Sequence, residues 1–339
     1  MTEQTIFANA TLILNDEVVR GSVRLKDGVI SDIDIDIDSG TSVPAGAFDL
    51  GGDYLAPGLV ELHTDNLERH LTPRPKVDWP YRAAILAHDR ELAGTGITTV
   101  FDAIRVGSII SGASKRYGKY ARQMADEIQG MREGGLLRIS HHIHLRAEIC
   151  SETLAEEFAA FSAEDRIGIV SMMDHTPGQR QFADLSKFET YTRGKYSFGD
   201  QEYRDYVDFL YGLQSQFGAG HETATVDAAK RLGATLASHD DTTSEQVATS
   251  QAYGVTMAEF PTTVEAADAC HAHGIATIMG APNLIRGGSH SGNVAAAYAD
   301  LILGTVETMK AQRACGMKIG YSRSIMENGN LLRYWRRSA

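Results

Sequence analysis

His63 and Asp65 stand two residues apart at the end of an apolar run that begins at Tyr54. In an extended strand, positions i and i+2 share a face. An imidazole and a carboxylate would therefore point the same way, as donors to one divalent cation. Four further apolar segments end in related chemistry. His141-His142-Ile143-His144-Leu145-Arg146-Ala147-Glu148 places His142, His144, Arg146 and Glu148 on one strand face, with Glu148 at the end, where it could bridge metals. Met173-Asp174-His175, Ser238-His239-Asp240-Asp241 and Glu259-Phe260-Pro261 follow along the chain. One histidine at a strand end is usually a polar cap on a buried strand. Several strand ends carrying His, Asp and Glu are harder to account for in that way. Imidazole plus carboxylate ligation suits zinc or manganese. A carboxylate shared by two ions would help generate hydroxide near neutral pH.

Positive groups occupy the same loops. Arg69, His70, Arg74 and Lys76 follow the first segment, and Arg105, Arg146, Arg180 and Arg286 belong to later ones. Arg286 precedes Gly287-Gly288-Ser289-His290-Ser291-Gly292-Asn293, a loop whose backbone N–H groups would suit an anion. Solvated surface charge explains any single arginine. The clustering in an acidic chain points instead to a phosphorylated ligand.

These side chains need elements to position them. Ile97–Ile104, Leu137–Ile149, Ile167–Met173, Ala234–Ser238, Thr256–Phe260 and Ile275–Met279 read as buried strands. Helices are expected over Tyr81–Ala93, Lys119–Arg132 and Val264–His273, closed by Gly94, Gly134 and Gly274. Strands alternating with helices imply a parallel sheet with crossover helices. With the strand ending at His63 there are seven βα units, so the expected fold is an α/β TIM (β/α)8 barrel lacking its eighth strand unit. The strand C-termini of such a barrel face one mouth. The first 56 residues hold short strands broken by Asn15-Asp16 and Asp27-Gly28, and the C-terminus holds two more around Asn328-Gly329. These are hairpin signals. A small β-sandwich domain from residues 1–56 with 314–339 is expected beside a barrel over 57–313. The segment Gln179–Gly218 is long for a βα connection and rich in Tyr, Phe, Asp and Arg; a lid and a packing or oligomer contact both fit.

Composition bounds the function. The chain has 339 residues, 43% of them apolar, and a net charge of −12, which together allow a sizeable core and disfavour nucleic acid or an anionic membrane as partner. Cys150, Cys270 and Cys315 make neither a zinc framework nor a disulfide scaffold. No run approaches the ~20 apolar residues of a membrane span, and no signal-peptide pattern is seen, so a soluble, cytoplasmic protein is expected. His271-Ala272-His273 sits at a helix C-terminus, where histidine complements the dipole. Gly94-Thr95-Gly96 runs helix then strand, the reverse of a dinucleotide fingerprint. His88 reads as structural.

Taken together, the motifs resemble the amidohydrolase superfamily, and more closely the α-D-ribose 1-methylphosphonate 5-triphosphate diphosphatases of the carbon–phosphorus lyase pathway. They are Glu61-Leu62-His63-Thr64-Asp65-Asn66-Leu67-Glu68, Thr72-Pro73-Arg74-Pro75 with Val77-Asp78-Trp79-Pro80, Gly96-Ile97-Thr98-Thr99-Val100-Phe101-Asp102-Ala103, His144-Leu145-Arg146 with Glu148, Met173-Asp174-His175-Thr176-Pro177-Gly178-Gln179, Ser238-His239-Asp240-Asp241, Glu259-Phe260-Pro261-Thr262-Thr263, and Gly280-Ala281-Pro282-Asn283 through Asn293. The resemblance implies a metal-dependent hydrolase: water cleaves the 5-triphosphate of a ribosyl phosphonate and releases pyrophosphate. It implies one or two divalent ions, zinc or manganese, held by His63, Asp65, Glu148, His175 and His239. Arg69, Arg74, Arg146, Arg180, Arg286, Gly288, Ser289 and His290 become candidate phosphate contacts. A homodimer is the expected assembly.

One stretch departs from the family. The superfamily's eighth strand ends in an acid/base Asp, but here only Val294 to Asp300, seven residues, separates the Gly/Ser loop from Leu301-Ile302-Leu303-Gly304. Asp240, Asp241 or Asp174 would have to substitute, and impaired turnover is expected. Two other readings stay open: a deaminase or cyclic amidase, and a catalytically inactive barrel that binds a phosphorylated ligand.

Overall fold

The computed structural model describes residues 4–14, 17–35, 43–74, 77–111, 119–280, 323–327 and 330–335. The chain divides into two compact units, one drawn from residues 1–100, 130–141 and 307–339, the other from 101–129 and 142–306.

In the first unit, β1 (Gln4–Ile13), β2 (Val18–Lys26) and β3 (Val29–Ile35) form an antiparallel meander. Its second turn is the two-residue Asp27-Gly28 link, with both residues at positive φ (51° and 76°). That geometry matches the strand twist and explains the Asp-Gly pair. β4 (Phe48–Asp49) and β5 (Tyr54–Pro57) pair parallel with β1. An irregularity between Phe7 and Ala10 of β1, where Asn9 takes positive φ, brings Phe7 to the same core as Ala10 and Leu12, against Val23, Leu25, Leu50 and Leu55. The chain's far end joins the same sheet. β13 (Arg323–Glu327) pairs antiparallel with β14 (Asn330–Trp335), and β14 pairs with β5.

The unit also holds β6 (Leu59–Thr64), α1 (Asn66–Leu71), α2 (Tyr81–Thr95) and the start of β7 (Ile97–Val106). α2 buries Ala84, Ile85, His88, Asp89 and Leu92, a helical stripe that fixes His88 inside, with its Nδ1 3.0 Å from Asn66 Nδ2. Gly94 does not close this helix as expected. Gly96 does, because it alone takes the left-handed conformation (φ 109°) that ends the turn. The strand expected from Leu137 also starts later. Asp89 accepts the N–H groups of Arg138 and Ile139 at 2.7 and 3.1 Å, so the ladder strand begins at Ser140.

In the second unit, β8 (Ser140–Glu148), β9 (Ile167–Met173), β10 (Thr235–His239), β11 (Met257–Glu259) and β12 (Ala276–Ile278) pair parallel in chain order. The sheet order continues through β7 to β6. Among the described residues, seven parallel strands alternating with helices give the expected TIM-type barrel architecture with a separate small sheet. The residues from which a missing eighth unit was inferred, 294–304, lie outside those described.

Among the described residues, the remaining α-helices are α3 (Ala121–Glu133), α4 (Leu154–Ala159), α5 (Leu185–Tyr196), α6 (Asp200–Leu232), α7 (Ser244–Ala252) and α8 (Val264–Ala272). The segment 179–218 is therefore helical: a 3-10 turn at Arg180–Phe182, then α5 and much of α6. α6 starts with Asp200 and Glu202 and ends with Lys230 and Arg231, charges that suit its dipole. Phe182, Phe188, Leu210 and Leu213 form an apolar cluster with Ile109. Its own buried core makes the segment a packed element.

Gly168 in β9 reports how tightly the second unit is filled. A Cβ there would lie 2.2 Å from Cε1 of Phe101, whose ring stacks on His142 with centroids 4.9 Å apart. Gly168→Ala should lower unfolding stability by about 1–3 kcal/mol, read as a lower urea midpoint at unchanged m-value; an unshifted midpoint would contradict this packing.

Candidate metal centre

Register builds the site. Glu148 pairs with Met173, Met172 with Ser238, and His239 with Glu259, which in turn pairs with Ile278. Parallel pairing thus sets Glu148, His239 and Glu259 in one row at the strands' C-terminal edge, and His175 lies two residues past β9. Nδ1 of His175 is 2.5 Å from Oε2 of Glu148. Nδ1 of His239 is 2.9 Å from Oε2 of Glu259, while its Nε2 is 3.2 Å from Oδ2 of Asp240. The two imidazoles meet edge to face with centroids 6.0 Å apart. His175, His239 and Asp240 each offer a ligand atom, all within 4.8 Å of one another. His144, fully buried, lies 2.8 Å from Ser171 Oγ and 3.4 Å from Glu259 Oε1.

A neutral imidazole has one N–H, yet both ring nitrogens of His239 face carboxylates. Burial pulls its pKa down, but Asp240 and Glu259 outweigh that and push it up to about 10. Burial raises Asp240, and His239 more than reverses the effect, so its carboxyl sits below the ordinary range. A lowered carboxyl is a good cation ligand and a weak base. Burial pushes the Cys150 thiol up, with help from Asp174 and Glu148, and takes Cys270 to about 12. Neither thiol is a nucleophile.

The backbone at these strand ends is unusual. Asp240 and Phe260 adopt positive φ (55° and 54°), and Arg180 does so at 44°. Such conformations persist only where surroundings over-determine them. Here the ladder runs on past the strands, with Asp240 N donating to Glu259 O at 2.9 Å and Phe260 N to Ile278 O at 3.0 Å.

The expected site residues divide. Glu148, His175, His239 and Asp240 come together. Asp241, expected as an acid/base candidate, is buried and accepts from Arg180 Nη1, from Ser238 Oγ, and from Ser250 Oγ at 3.4 Å. It is an internal acceptor, and Arg180, expected on phosphate, is its partner. Arg69 is held by both oxygens of Glu91 at 2.6 and 2.8 Å, with His70 Nε2 at 2.7 Å. Those contacts, Arg69 foremost, bring Glu91 down to about 2. Arg74 is exposed in a bridge with Val77, and Arg146 is half-buried on β8, two residues before Glu148. His63 is half-buried at the end of β6, where its N–H donates to Glu61 Oε1 at 3.0 Å, and Asp65 opens α1. Arg286, Gly288, Ser289 and His290 lie outside the described residues. Glu259 and His144 were not among the expected site residues. Their signal was their placement at or near strand ends, which both sequence motifs carried.

The donor set fits a divalent cation. Two imidazoles and a carboxylate suit a first-row transition ion. Glu259 on Nδ1 of His239 is the outer carboxylate that ligating histidines usually have.

Three comparisons place the chain. It is 41% identical over 291 residues, 86% of its length and 75% of the relative's, to the α-D-ribose 1-methylphosphonate 5-triphosphate diphosphatase of Escherichia coli strain K12. Among solved structures it is similar to 5-methylcytosine deaminase from Klebsiella pneumoniae liganded with 5-fluorocytosine, with a TM-score of 0.52 and 16% identity over 87% of this chain and 72% of that one. At that identity the likeness concerns the fold. No family model matches. Among the described residues, no helix is long and apolar enough to cross a membrane.

Cation binding must displace the His239 proton. Affinity should therefore rise with pH up to about 10, the value at which the imidazole loses that proton unaided. Calorimetry at pH 7 in buffers of different ionisation enthalpy should show about one proton released per ion; no release would mean His239 is neutral beforehand. In the cation-free protein the raised value contributes stability that is fully present below 6.5 and lost as pH climbs through about 10.

Proposed function

The chain belongs to the α-D-ribose 1-methylphosphonate 5-triphosphate diphosphatase family of amidohydrolase-fold hydrolases, and on that premise we propose that it hydrolyses the 5-triphosphate of α-D-ribose 1-methylphosphonate to the 5-phosphate and pyrophosphate. The 41% identity across 86% of the chain is the observation that carries this reading. One water is consumed, and the anhydride between the α and β phosphorus atoms breaks.

His175, His239 and Asp240 hold the cation, with His63, Asp65 and Glu148 as the further donors that the resemblance supplies. When bound, a divalent ion lowers the pKa of water and neutralises phosphate charge. The chain's own residues do the rest. Glu259 orients His239, and Glu148 orients His175, each through Nδ1. Asp240, with its carboxyl lowered, serves as a ligand in preference to a base. Phosphoryl transfer asks for positioning and charge neutralisation more than for strong base catalysis, which accords with Asp240 acting as a ligand. Arg146, on the face of β8 that carries Glu148, and Arg286 with Gly288, Ser289 and His290 contact the phosphates.

We further propose a zinc or manganese ion, supported by the imidazole and carboxylate donors. A cytoplasmic location accords with the free, buried Cys150 and Cys270. A homodimer is expected by sedimentation. Residues 1–56 with 314–339 are proposed as one β domain, and 57–313 as the barrel.

Phosphorus NMR of the manganese- or zinc-loaded protein with the ribosyl phosphonate 5-triphosphate should show pyrophosphate and the 5-phospho product, and a chelator should stop the reaction. Intact triphosphate over a folded, cation-loaded protein would refute hydrolysis. Glu259→Gln should weaken cation binding by about 10–100-fold; unchanged affinity would remove Glu259 from the site.

A further inference from the structure

We propose that Arg180 is a positioning residue for the cation site: it ties the 179–218 segment to the turn that presents His239 and Asp240. The proposal rests on the reading of that turn as part of the cation site. One guanidinium nitrogen, Nη1, donates to the Asp241 carboxylate and, at 2.9 Å, to the carbonyl of His239. Both partners flank Asp240, so the contact spans the left-handed residue (φ 55°) whose carboxylate faces the two imidazoles. Fixing the His239 carbonyl fixes the plane of the 239–240 peptide, and with it the direction of Asp240.

The turn is held from several sides. Ser238 and Ser250 donate to the Asp241 carboxylate, and Thr262 N donates to the Asp241 carbonyl at 2.9 Å. Arg180 supplies the positive charge among these partners. Asp241 is 1% exposed in its side chain and Arg180 13%. A carboxylate so buried needs a charged partner. A phosphate would have to draw Arg180 off that carboxylate, which argues against a phosphate-binding role.

Arg180 is anchored at its other end by the segment's core. It begins the 3-10 turn that carries Phe182 into the cluster with Phe188, Leu210 and Leu213. The Phe182 ring lies 6.2 Å from that of His175, and Gln214 of α6 donates to Asp174 Oδ2 at 3.0 Å. The segment therefore touches the ends of both strands that deliver the paired histidines. Its packing sets the spacing of His175, His239 and Asp240.

The test is a manganese titration by calorimetry, with steady-state kinetics on the triphosphate, for the wild type, Arg180→Met, Arg180→Lys, Asp241→Asn and the double Arg180→Met/Asp241→Asn. Arg180→Met should weaken manganese binding by about 10–100-fold, the range for residues that orient ligands, and lower kcat with KM unchanged. Asp241→Asn should match it, the double variant should be no worse than either single, and Arg180→Lys should recover part of the affinity. If Arg180→Met fails to fold because Asp241 is left bare, the double variant removes that charge and still reports the loss. Full manganese affinity with a raised KM in Arg180→Met would make Arg180 a phosphate ligand and overturn the proposal. A folded wild type that takes up no manganese would overturn the cation site itself, and the proposal with it.

Discussion

Two buried carboxylates, Asp240 and Glu259, flank one imidazole, and the chemistry of the second unit follows from that. Buried negative charges must be balanced, because the interior solvates them poorly. Without a cation, a proton on His239 supplies the balance. A divalent ion does the same and adds charge where a polyanionic substrate must be bound. The site's resting charge thus prepares it for a cation, and its thiols, driven upward by burial and neighbouring carboxylates, take no part.

The scaffold makes this arrangement possible by running its hydrogen-bond ladder past the ends of the strands. Parallel pairing of β8 to β12 puts Glu148, His239 and Glu259 in one row, and the next residues, Asp240 and Phe260, bend into positive φ while still bonded to neighbouring carbonyls. An extended residue 240 would have pointed its side chain to the other face of the sheet. The left-handed turn instead folds the carboxylate back on the histidine beside it.

Within each unit, salt bridges engage arginines that composition alone offers as phosphate ligands. Arg69 is committed to Glu91, and Arg180 to Asp241. The buried Asp241 holds its arginine more firmly than the half-exposed Glu91 can hold Arg69.

Much was legible in the sequence because the determinants are local. Asp27-Gly28 specifies its hairpin, since only residues tolerant of positive φ fit the turn. Gly/apolar punctuation marks the βα repeats, and Met-Asp-His and Ser-His-Asp at strand ends mark His175, His239 and Asp240, which the fold brings together. What failed depended on distant partners. The start of β8 moved to Ser140 because Asp89, on a helix far earlier in the chain, captured two backbone N–H groups. Gln179–Gly218 folded as helices around its own aromatic core, which no short motif announces. Asp240 and Asp241 are adjacent and chemically identical, so sequence treats them alike. The tertiary structure gave one to the paired histidines and the other to Arg180: the positive φ of Asp240 turns its carboxylate onto the adjacent His239, while Asp241 meets Arg180, 61 residues earlier in the chain, only through packing and not by local pattern.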